Sequence, residues 1–391
     1  MLKARWIIPV SRDPIHGGWI RLRGERVVEV SGGRCPSGAE DLGDVALLPG
    51  LVNAHTHLEF SDLPGPIGAP GTTLPEWIGQ VIAARSETTL AAKQAAIEQG
   101  MRESRAAGVR LLGEISTPPC QYPSEPDDPQ RVSFAEVLGL SSQRGKDRFQ
   151  AAMAFTRDDR SAGWSPHAPY STSLALIDAC IEQARKQSRP VAMHVAESPA
   201  ERELLISASG PFADTLQKLG VWHEGLFPWG DDPLRQLIER LAHAPRVLLV
   251  HGNDLRAAEI ELIARHSHLT VVFCPRTHAF FGYPRHPVAE MLRANVRVAL
   301  GTDSRASNPD LNLWREVQFL LQQRGDVSGQ EVIRMATANG ADALGRGDLG
   351  RIEPGCRPGL GCVATAASKL ADVFADLAIH EFCRLPSENP C

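Results

Sequence analysis

The sequence lacks the long apolar runs and the leader-like start that mark membrane and secreted proteins. No apolar run reaches the roughly 18 residues that a membrane-spanning helix needs. The first apolar stretch is interrupted by Pro9, Arg12 and Asp13, so it does not form the apolar region of a secretory signal. These absences predict a cytoplasmic protein with no membrane partner.

Paired cysteines and an excess of basic residues are also missing. The cysteines lie far apart and form no CxxC pair, at positions 35, 120, 180, 274, 356, 362, 383 and 391. This spacing predicts neither a zinc knuckle nor a disulfide framework and fits a reducing compartment. The 41 Lys and Arg against 46 Asp and Glu give a net charge of -5, which provides no basic surface for nucleic acid. A small-molecule partner is therefore expected.

The length and composition favour one large α/β barrel with a small appendage. The chain has 391 residues, of which 43% are hydrophobic and 22% charged, close to the globular average. Residues 1–46 form short, strand-like runs separated by Gly and Pro, which predicts a small antiparallel sheet without helices. We interpret the turn-rich tail, 347–391, as returning to that sheet to complete a small β-sandwich domain.

Between these ends, strand-length apolar runs alternate with helix-like stretches. The runs span residues 45–57, 109–116, 133–140, 161–171, 190–198, 246–253, 269–276 and 296–304. Eight parallel strands joined by helical crossovers close a barrel, so we predict a (β/α)8 barrel domain over 47–346. Two further helices are expected around 313–323 and over 329–344. Segment 63–82, which is rich in Gly and Pro, is expected to be a long loop above the barrel mouth that grips substrate.

Polar residues gather at one end of most of these runs. The first ends in His55-Thr-His57, and side chains two apart on a strand point to the same side, where both imidazoles can bind one cation. A lone His-x-His is more often a coincidence. His194 and Asp303 follow two other runs, and together the four residues give three nitrogens and one carboxylate, a set suited to zinc. Read singly, His194 fits a buried core histidine and Asp303 a helix N-cap.

His251 and Glu197 are expected at the same barrel mouth. His251 ends the run before Gly252 and is either a fifth ligand or, as we prefer, a neutral imidazole that orients water or polarises the substrate. Glu197 lies three residues after His194, within reach of a substrate beside the metal. The alternative reading of Glu197 is a solvated loop carboxylate or a helix N-cap.

The motifs LLPGLVNAHTHLEF, SPHAPYS, HVAES, LVHGN, LGTDSRASN and IEPG together resemble the amidohydrolase superfamily, and the resemblance spans the whole chain. They resemble its mononuclear-zinc branch, which includes adenosine, S-adenosylhomocysteine, methylthioadenosine and guanine deaminases and chlorotriazine hydrolases. HTHLEFSDL, HVAESPAE and CPRTHAFFG resemble its aminofutalosine deaminase-like subgroup. CPRTHAFFG departs from the CPxSN pattern of the guanine and S-adenosylhomocysteine deaminases.

The resemblance implies a barrel with a β-sandwich made from both chain ends, and it implies site roles. His55, His57, His194 and Asp303 would bind one divalent ion, zinc foremost, although Fe²⁺ or Mn²⁺ also fits these donors. A single metal is favoured because no lysine ends a strand where dinuclear members carry their bridge. Homodimers are common in the family, although the sequence leaves the oligomeric state open.

The implied reaction is hydrolytic deamination of an aminopurine nucleoside related to aminofutalosine, methylthioadenosine or adenosine. A bound metal lowers the pKa of water from about 16 toward about 7. Asp303 would take the water's proton, Glu197 would protonate ring nitrogen N1, and His251 would position the water, so that attack at C6 releases ammonia. The same pairing of zinc-activated water and glutamate occurs in nucleobase deaminases of another fold.

Substrate contacts are predicted from the resemblance and from chemistry. His167 matches a residue that contacts the purine, and Glu87 lies one residue beyond the position of a sugar-binding glutamate. A carboxylate-bearing substrate would need basic and flat apolar partners, for which the candidates are Arg276, Arg305, Arg144, Phe280 and Phe281. The alternatives are a hydrolase of another ring C–N or C–Cl bond, of the guanine or chlorotriazine type, and a non-catalytic scaffold on the same fold.

Overall fold

The computed structural model describes residues 1–385. Cys391 and the remainder of the predicted terminal segment beyond residue 385 lie outside the described residues. Residues 1–46 contain strands and turns and no helix, as predicted. The first strands are β1 (Leu2–Lys3), β2 (Trp6–Ile7), β3 (Ile15–His16), β4 (Trp19–Arg23), β5 (Arg26–Ser31), β6 (Glu40–Asp41) and β7 (Val45–Leu48).

Eight parallel strands follow one another around a barrel. They are β8 (Leu51–Thr56), β9 (Val109–Ser116), β10 (Gln130–Val137), β11 (Gly163–Pro166), β12 (Val191–Val195), β13 (Val247–His251), β14 (Leu269–Phe273) and β15 (Arg297–Leu300). Each strand pairs in parallel with the next, and a parallel bridge between Thr56 and Asp303 joins the last segment to the first. The predicted (β/α)8 barrel is confirmed, with several strands shorter than the apolar runs that predicted them.

The two chain ends share a sheet beside the barrel. β16 (Gly361–Ala364) pairs antiparallel with β7 and with β17 (Cys383–Arg384), giving a five-stranded sheet in the order β17-β16-β7-β2-β3. A second sheet has the order β5-β4-β1-β6, and apolar side chains such as Ile7, Ile20 and Leu47 are buried in the same cluster. The small sheets at the termini are therefore confirmed, although the prediction of purely antiparallel pairing is wrong, since β1 pairs with β6 and β2 with β7 in parallel. The borders at 46/47 and 346/347 stay predictions.

Alternate residues of the barrel strands belong to different cores. In β13, Val247 and Leu249 lie in the large cluster with helix residues, while Leu248 belongs to a cluster built from the facing strands. Side chains that alternate across a strand buried on both faces produce near-continuous apolar runs, which explains why the runs were legible in the sequence.

Helices surround the barrel and complete the small domain. They are α1 (Leu74–Arg85), α2 (Leu90–Ala106), α3 (Ser142–Asp158), α4 (Leu174–Gln187), α5 (Pro199–Ser207), α6 (Pro211–Lys218), α7 (Pro233–Leu241), α8 (Ala257–Ala264), α9 (Pro275–Phe281), α10 (Val288–Arg293), α11 (Leu313–Gln323), α12 (Gly329–Met335), α13 (Ala338–Ala343) and α14 (Leu370–Leu377). A 3₁₀ turn covers Leu58–Phe60, directly after β8. No helix within residues 1–385 combines the length and apolarity needed to cross a bilayer.

The expected loop over 63–82 is wrong in its second half, which forms most of α1. Thr73 caps this helix, and the Glu76 carboxylate accepts from the Thr73 hydroxyl at 2.8 Å and from its backbone N–H at 3.4 Å. Pro75 lies in the first turn, where its missing N–H costs no helical hydrogen bond. Proline there marks the start of a helix rather than a loop.

The single helix expected over 329–344 is also wrong, because it is broken into α12 and α13. Thr337 has non-helical φ and ψ of -137° and -95°. The carbonyl of Ala336 accepts from the Val52 N–H at 2.8 Å, and the Asn339 amide donates to the Val298 carbonyl at 2.7 Å. The break thus lets this segment hydrogen-bond near the amino ends of β8 and β15.

Candidate active site

His55 and His57 lie where β8 ends and the 3₁₀ turn begins. The pairing register of β8 against β9 shifts between Asn53 and Thr56, the kind of irregularity that re-aims side chains near functional sites. One nitrogen each of His55, His57 and His194 lies within 4.8 Å of the others, and all three residues are buried. The structure therefore brings together the three histidines that the sequence predicted as ligands.

His194, at the end of β12, has a fixed ring orientation. Its Nδ1 lies 2.7 Å from the backbone carbonyl of His167, so Nδ1 carries the proton and donates it. The lone pair is then on Nε2, which lies 3.4 Å from Nε2 of His57. A carbonyl that fixes the tautomer of a ligating histidine is a regular feature of metal sites.

Asp303 follows β15 in a left-handed backbone conformation with φ of 58°. Its N–H donates to the His55 carbonyl at 3.1 Å, which ties the turn to β8. The Ser307 hydroxyl donates to Oδ2 at 2.8 Å, while Oδ1 lies 3.5 Å from Nε2 of His55 and 3.7 Å from Nε2 of His57. Backbone strain of this kind persists where the surroundings enforce it, often at a functional site.

A buried amide secures these two strand ends to each other. Asn53 donates from Nδ2 to the Thr302 hydroxyl at 2.8 Å and accepts from the Thr302 N–H at 3.1 Å. Both side chains are fully buried. The Asn53 amide therefore fixes β8, which carries two histidines, relative to the segment that carries Asp303.

The four predicted ligands fit a divalent cation. Burial, with some contribution from neighbouring imidazoles, lowers the pKa of His55 and His57 well below the usual value, and burial also lowers that of His194. Neutral imidazoles keep the lone pair that a metal needs. Nε2 of His55 is buried without a hydrogen-bond partner within the described residues. A cation held by these nitrogens and by Asp303 would satisfy that orphaned atom.

Glu197 and His251 lie beside this cluster, as predicted. Oε1 of Glu197 is 3.4 Å from Nε2 of His251, and the Tyr170 hydroxyl donates to Oε2 at 3.0 Å. Burial, reinforced by the negative charges of Asp303 and Glu201, raises the pKa of Glu197 well above its usual value. Burial lowers the pKa of His251, so its imidazole is neutral.

Glu201 accepts hydrogen bonds from the backbone beside Glu197, and this role was not predicted from the sequence. Its fully buried carboxylate accepts from the N–H of Ala196 at 2.8 Å and from the N–H of Glu197 at 2.9 Å. Asn253 donates to the Glu197 carbonyl at 2.9 Å. The backbone on both sides of the Glu197 side chain is therefore held by hydrogen bonds.

A cavity of about 420 Å³ opens onto these residues. Its apolar wall comes from the segment after β8, α1 and α6, and it includes Phe60, Trp77, Ile78, Val81, Phe212 and Leu216. Its polar lining beyond the predicted ligands includes Glu59, Glu136, Arg144, His167 and Tyr170. Of the predicted substrate contacts, His167 therefore lies at the cavity, together with the candidate Arg144.

Two predicted substrate-binding arginines are engaged elsewhere. Nε of Arg276 lies 2.6 Å from Glu316, and its Nη2 lies 2.6 Å from Asp310, so its guanidinium is neutralised away from the cavity lining. Nη1 of Arg305 lies 3.0 Å from Glu103. These ion pairs explain why neither residue contributes to the cavity wall.

Glu87 and Phe281 also lie outside the cavity lining. Glu87 is exposed in the turn after α1, and Phe281 is buried behind Trp77 with ring centroids 5.4 Å apart. No contact within the described residues supports substrate binding by Glu87, Phe281, Arg276 or Arg305. Their role as substrate contacts stays a prediction.

The chain belongs to the amidohydrolase family, because the model of that family matches residues 46–378. It is accordingly an enzyme that hydrolyses C–N bonds, and its relatives are named as deaminases. The barrel, the terminal sheets and the strand-end histidines described above are thus the framework of an amidohydrolase.

Two relatives and one solved structure illustrate the likeness. A 5-methylthioadenosine/S-adenosylhomocysteine deaminase of Nitratidesulfovibrio vulgaris is 27% identical over 406 residues, covering 95% of this chain and 83% of the relative. An aminodeoxyfutalosine deaminase of Deinococcus radiodurans is 30% identical over 328 residues, covering 79% and 76%. Aminofutalosine deaminase of Helicobacter pylori, in complex with methylthio-coformycin, matches with a TM-score of 0.81 at 22% identity, covering 98% of this chain and 97% of that one. This last likeness shows the shared fold.

Proposed function

We propose that this enzyme hydrolyses the amino group from the purine of a nucleoside derivative related to adenosine, methylthioadenosine or aminofutalosine. The observation that carries the proposal is the carboxyl group of Glu197, held beside the convergent donors of His55, His57 and His194. A proton donor next to a metal site is the pairing that ring deamination requires. The names of the relatives point to the same substrate class.

We further propose that His55, His57, His194 and Asp303 hold one zinc ion. Three imidazole nitrogens and one carboxylate oxygen match the donors that zinc accepts, although Fe²⁺ or Mn²⁺ also binds such sets. When bound, the ion makes a water molecule acidic enough to act as a nucleophile near neutral pH. The Asp303 carboxylate, which the Ser307 hydroxyl orients through Oδ2, is also the proposed acceptor for the proton of the attacking water.

Glu197 is the proposed proton carrier. Burial raises the pKa of Glu197, which favours the protonated carboxyl group, and that group can donate a proton to a ring nitrogen and make the neighbouring carbon electrophilic. Water adds to that carbon, and a second proton transfer to the amino group lets it leave as ammonia. The purine C–N bond breaks and a ring carbonyl forms, so no oxidant or other reactant is needed.

His251 and His167 are proposed to orient the reactants as neutral imidazoles. Burial lowers the pKa of both groups, so neither adds positive charge beside the cation site. Nδ1 of His167 lies 2.6 Å from the Ser171 hydroxyl, which fixes the ring against the cavity. The aromatic side chains of Phe60, Trp77 and Tyr170 offer flat surfaces for the purine or for a substituent on the sugar.

A substrate screen tests this proposal. Ammonia release is measured with adenosine, methylthioadenosine, aminodeoxyfutalosine and guanine, and chloride release with a chlorotriazine. We expect ammonia from at least one of the three adenosine-type compounds, with a higher kcat/KM than for guanine. Turnover of guanine or the chlorotriazine alone would overturn the assignment and favour the other ring hydrolases. No turnover of any compound by metal-loaded enzyme would contradict the deaminase proposal.

A further inference from the structure

A buried carboxyl group on β9 holds the backbone directly after His57. Glu114 pairs with Thr56, the last residue of β8, and is only 1% exposed. Both of its carboxyl oxygens accept from the N–H of Leu58, at 3.1 Å and 3.2 Å. Because Leu58 directly follows His57, this contact fixes the chain beside one of the four predicted metal ligands.

The carboxyl group of Glu114 is itself oriented by a tyrosine. The Tyr122 hydroxyl donates to Oε1 of Glu114 at 3.2 Å and lies 2.6 Å from the Ser116 hydroxyl. The Arg131 guanidinium lies 3.8 Å from the centroid of the Tyr122 ring, a distance at which a cation attracts the ring face. These contacts direct the Glu114 carboxyl group toward Leu58.

The orientation of His57 depends on its backbone more than that of His194 does. The His194 ring is held by the hydrogen bond from its Nδ1 to the His167 carbonyl. Within residues 1–385, the polar contacts of the His57 ring are with His194 and Asp303, which are themselves predicted ligands. The chain that carries His57 therefore has to set the direction of its ring.

The position of Glu114 is costly for a residue that only fills the core. Removing a carboxyl group from water costs free energy unless polar partners replace the water. The nearby cations Lys93 and Arg131 pair with Glu59 and Asp159 instead. A smaller or apolar residue in place of Glu114 would leave the Leu58 N–H without its present acceptor.

We propose that Glu114 is a positioning residue that fixes His57 through the Leu58 N–H and thereby tightens metal binding. This inference rests on the proposed function, which supplies the zinc ion, and it adds a determinant of zinc affinity that is not a ligand. Partners that orient metal ligands typically contribute about 10-fold to 100-fold to metal affinity.

Two substitutions separate hydrogen bonding from charge. Glu114→Gln removes the charge but keeps an oxygen at the same reach, which can accept from the Leu58 N–H while the amide NH₂ donates to Tyr122. Glu114→Asp keeps the charge but is one methylene shorter, so its oxygens no longer reach Leu58. We expect Glu114→Gln to hold zinc nearly as well as the wild type and Glu114→Asp to hold it about 10-fold to 100-fold more weakly.

The measurement is zinc retention by the purified holoenzymes during titration with a competing chelator, followed by elemental analysis. The chelator concentration that removes half of the zinc reports relative affinity without using activity. Glu259→Asp is the matched control, because Glu259 is also a buried glutamate, pairs with Arg202 at 2.6 Å and lies outside the cavity lining. This control should retain zinc like the wild type even if its urea midpoint falls.

The outcomes separate the two proposals. Unchanged zinc retention in Glu114→Asp, or an equal loss in Glu259→Asp, would overturn the positioning role while leaving the proposed metal site and reaction intact. A loss in Glu114→Gln as large as that in Glu114→Asp would also overturn it, because charge rather than the hydrogen bond would then set the affinity. A wild type that binds no metal would overturn both proposals.

Discussion

The floor and the outer wall of the active-site cavity are built differently. At the floor, His194 and Asp303 extend from strand ends and are each held by a short hydrogen bond, to the His167 carbonyl and from the Ser307 hydroxyl. In the outer wall, Ile82 of α1 is 48% exposed, and Leu219, just after α6, is 43% exposed. From this difference we propose that the strand ends carry out bond breaking and that the helices of the wall select the substrate.

Among floor substitutions that leave the metal bound, Glu197→Gln is expected to reduce kcat the most. The amide cannot transfer the proton that ring activation needs, so kcat should fall by about 10²-fold to 10⁴-fold, the range measured for general acids and bases. Ammonia-release kinetics and elemental analysis on the same preparation measure both properties. Retention of kcat within a few-fold, with metal bound, would exclude Glu197 as the proton carrier.

Glu201→Gln tests whether the position of Glu197 in the cavity floor depends on the hydrogen bonds that Glu201 accepts. The amide oxygen can replace one of the two acceptors for the Ala196 and Glu197 N–H groups, but the NH₂ group faces the other donor. We expect the unfolding free energy to fall by about 1–3 kcal/mol and kcat to fall by about 10-fold to 100-fold through misplacement of Glu197. Urea unfolding and steady-state kinetics measure these changes. Glu203→Gln, an exposed change on the same helix, should alter neither, and equal effects of the two variants would argue against a positioning role.

The raised pKa of Glu136, which lines the cavity wall, predicts that the stability of the protein depends on pH. This pKa is about 7 in the folded protein, against about 4.5 for an ordinary glutamate, so between these pH values the folded state holds a proton that the unfolded state releases. Its contribution to stability is therefore intact below about pH 4.5 and is lost as pH rises through about 7, a change on the order of 3 kcal/mol. Glu136→Gln lacks this titration, so the wild type should lose stability relative to the variant between pH 5 and pH 8. Urea unfolding at both pH values measures the difference, and a constant difference would contradict the assignment.

The smallest effect is expected at the outer wall. Ile82→Ser removes part of an apolar contact with substrate, so KM should rise by about 3-fold to 10-fold while kcat stays unchanged. Ile206→Ser, an equally exposed change outside the cavity lining, serves as the control and should leave both constants unaltered. A fall in kcat for Ile82→Ser would mean that the wall participates in the chemical step.

The floor was predictable from the sequence because it follows a local rule. His55, His57, His194 and Asp303 each come directly after or at the end of an apolar run, and the carboxyl ends of parallel barrel strands meet at one mouth. Helix α14 was not predicted, because the tail was interpreted as strands, although its apolar residues recur at 370, 373, 374 and 377. That spacing is the stripe of an amphipathic helix.

The wall and the supporting carboxylates depend on contacts that no local pattern encodes. Glu59 and Glu136 meet through Thr117 across two strands, and Arg276 is turned away by Glu316, 40 positions later in the chain. A lone arginine or glutamate in a sequence carries no indication of its partner. Tyr170 was within the SPHAPYS motif, but only the fold shows that its hydroxyl reaches Glu197.

Metal content, measured together with activity, tests the central claim most directly. Elemental analysis of the purified wild type should find one divalent ion per chain, foremost zinc, and chelation should remove the ion and the activity together, with both restored by added zinc. His194→Ala should bind less metal and lose activity in proportion, because one of four donors is gone. Full activity in metal-free enzyme, or unchanged metal content in His194→Ala, would contradict the account.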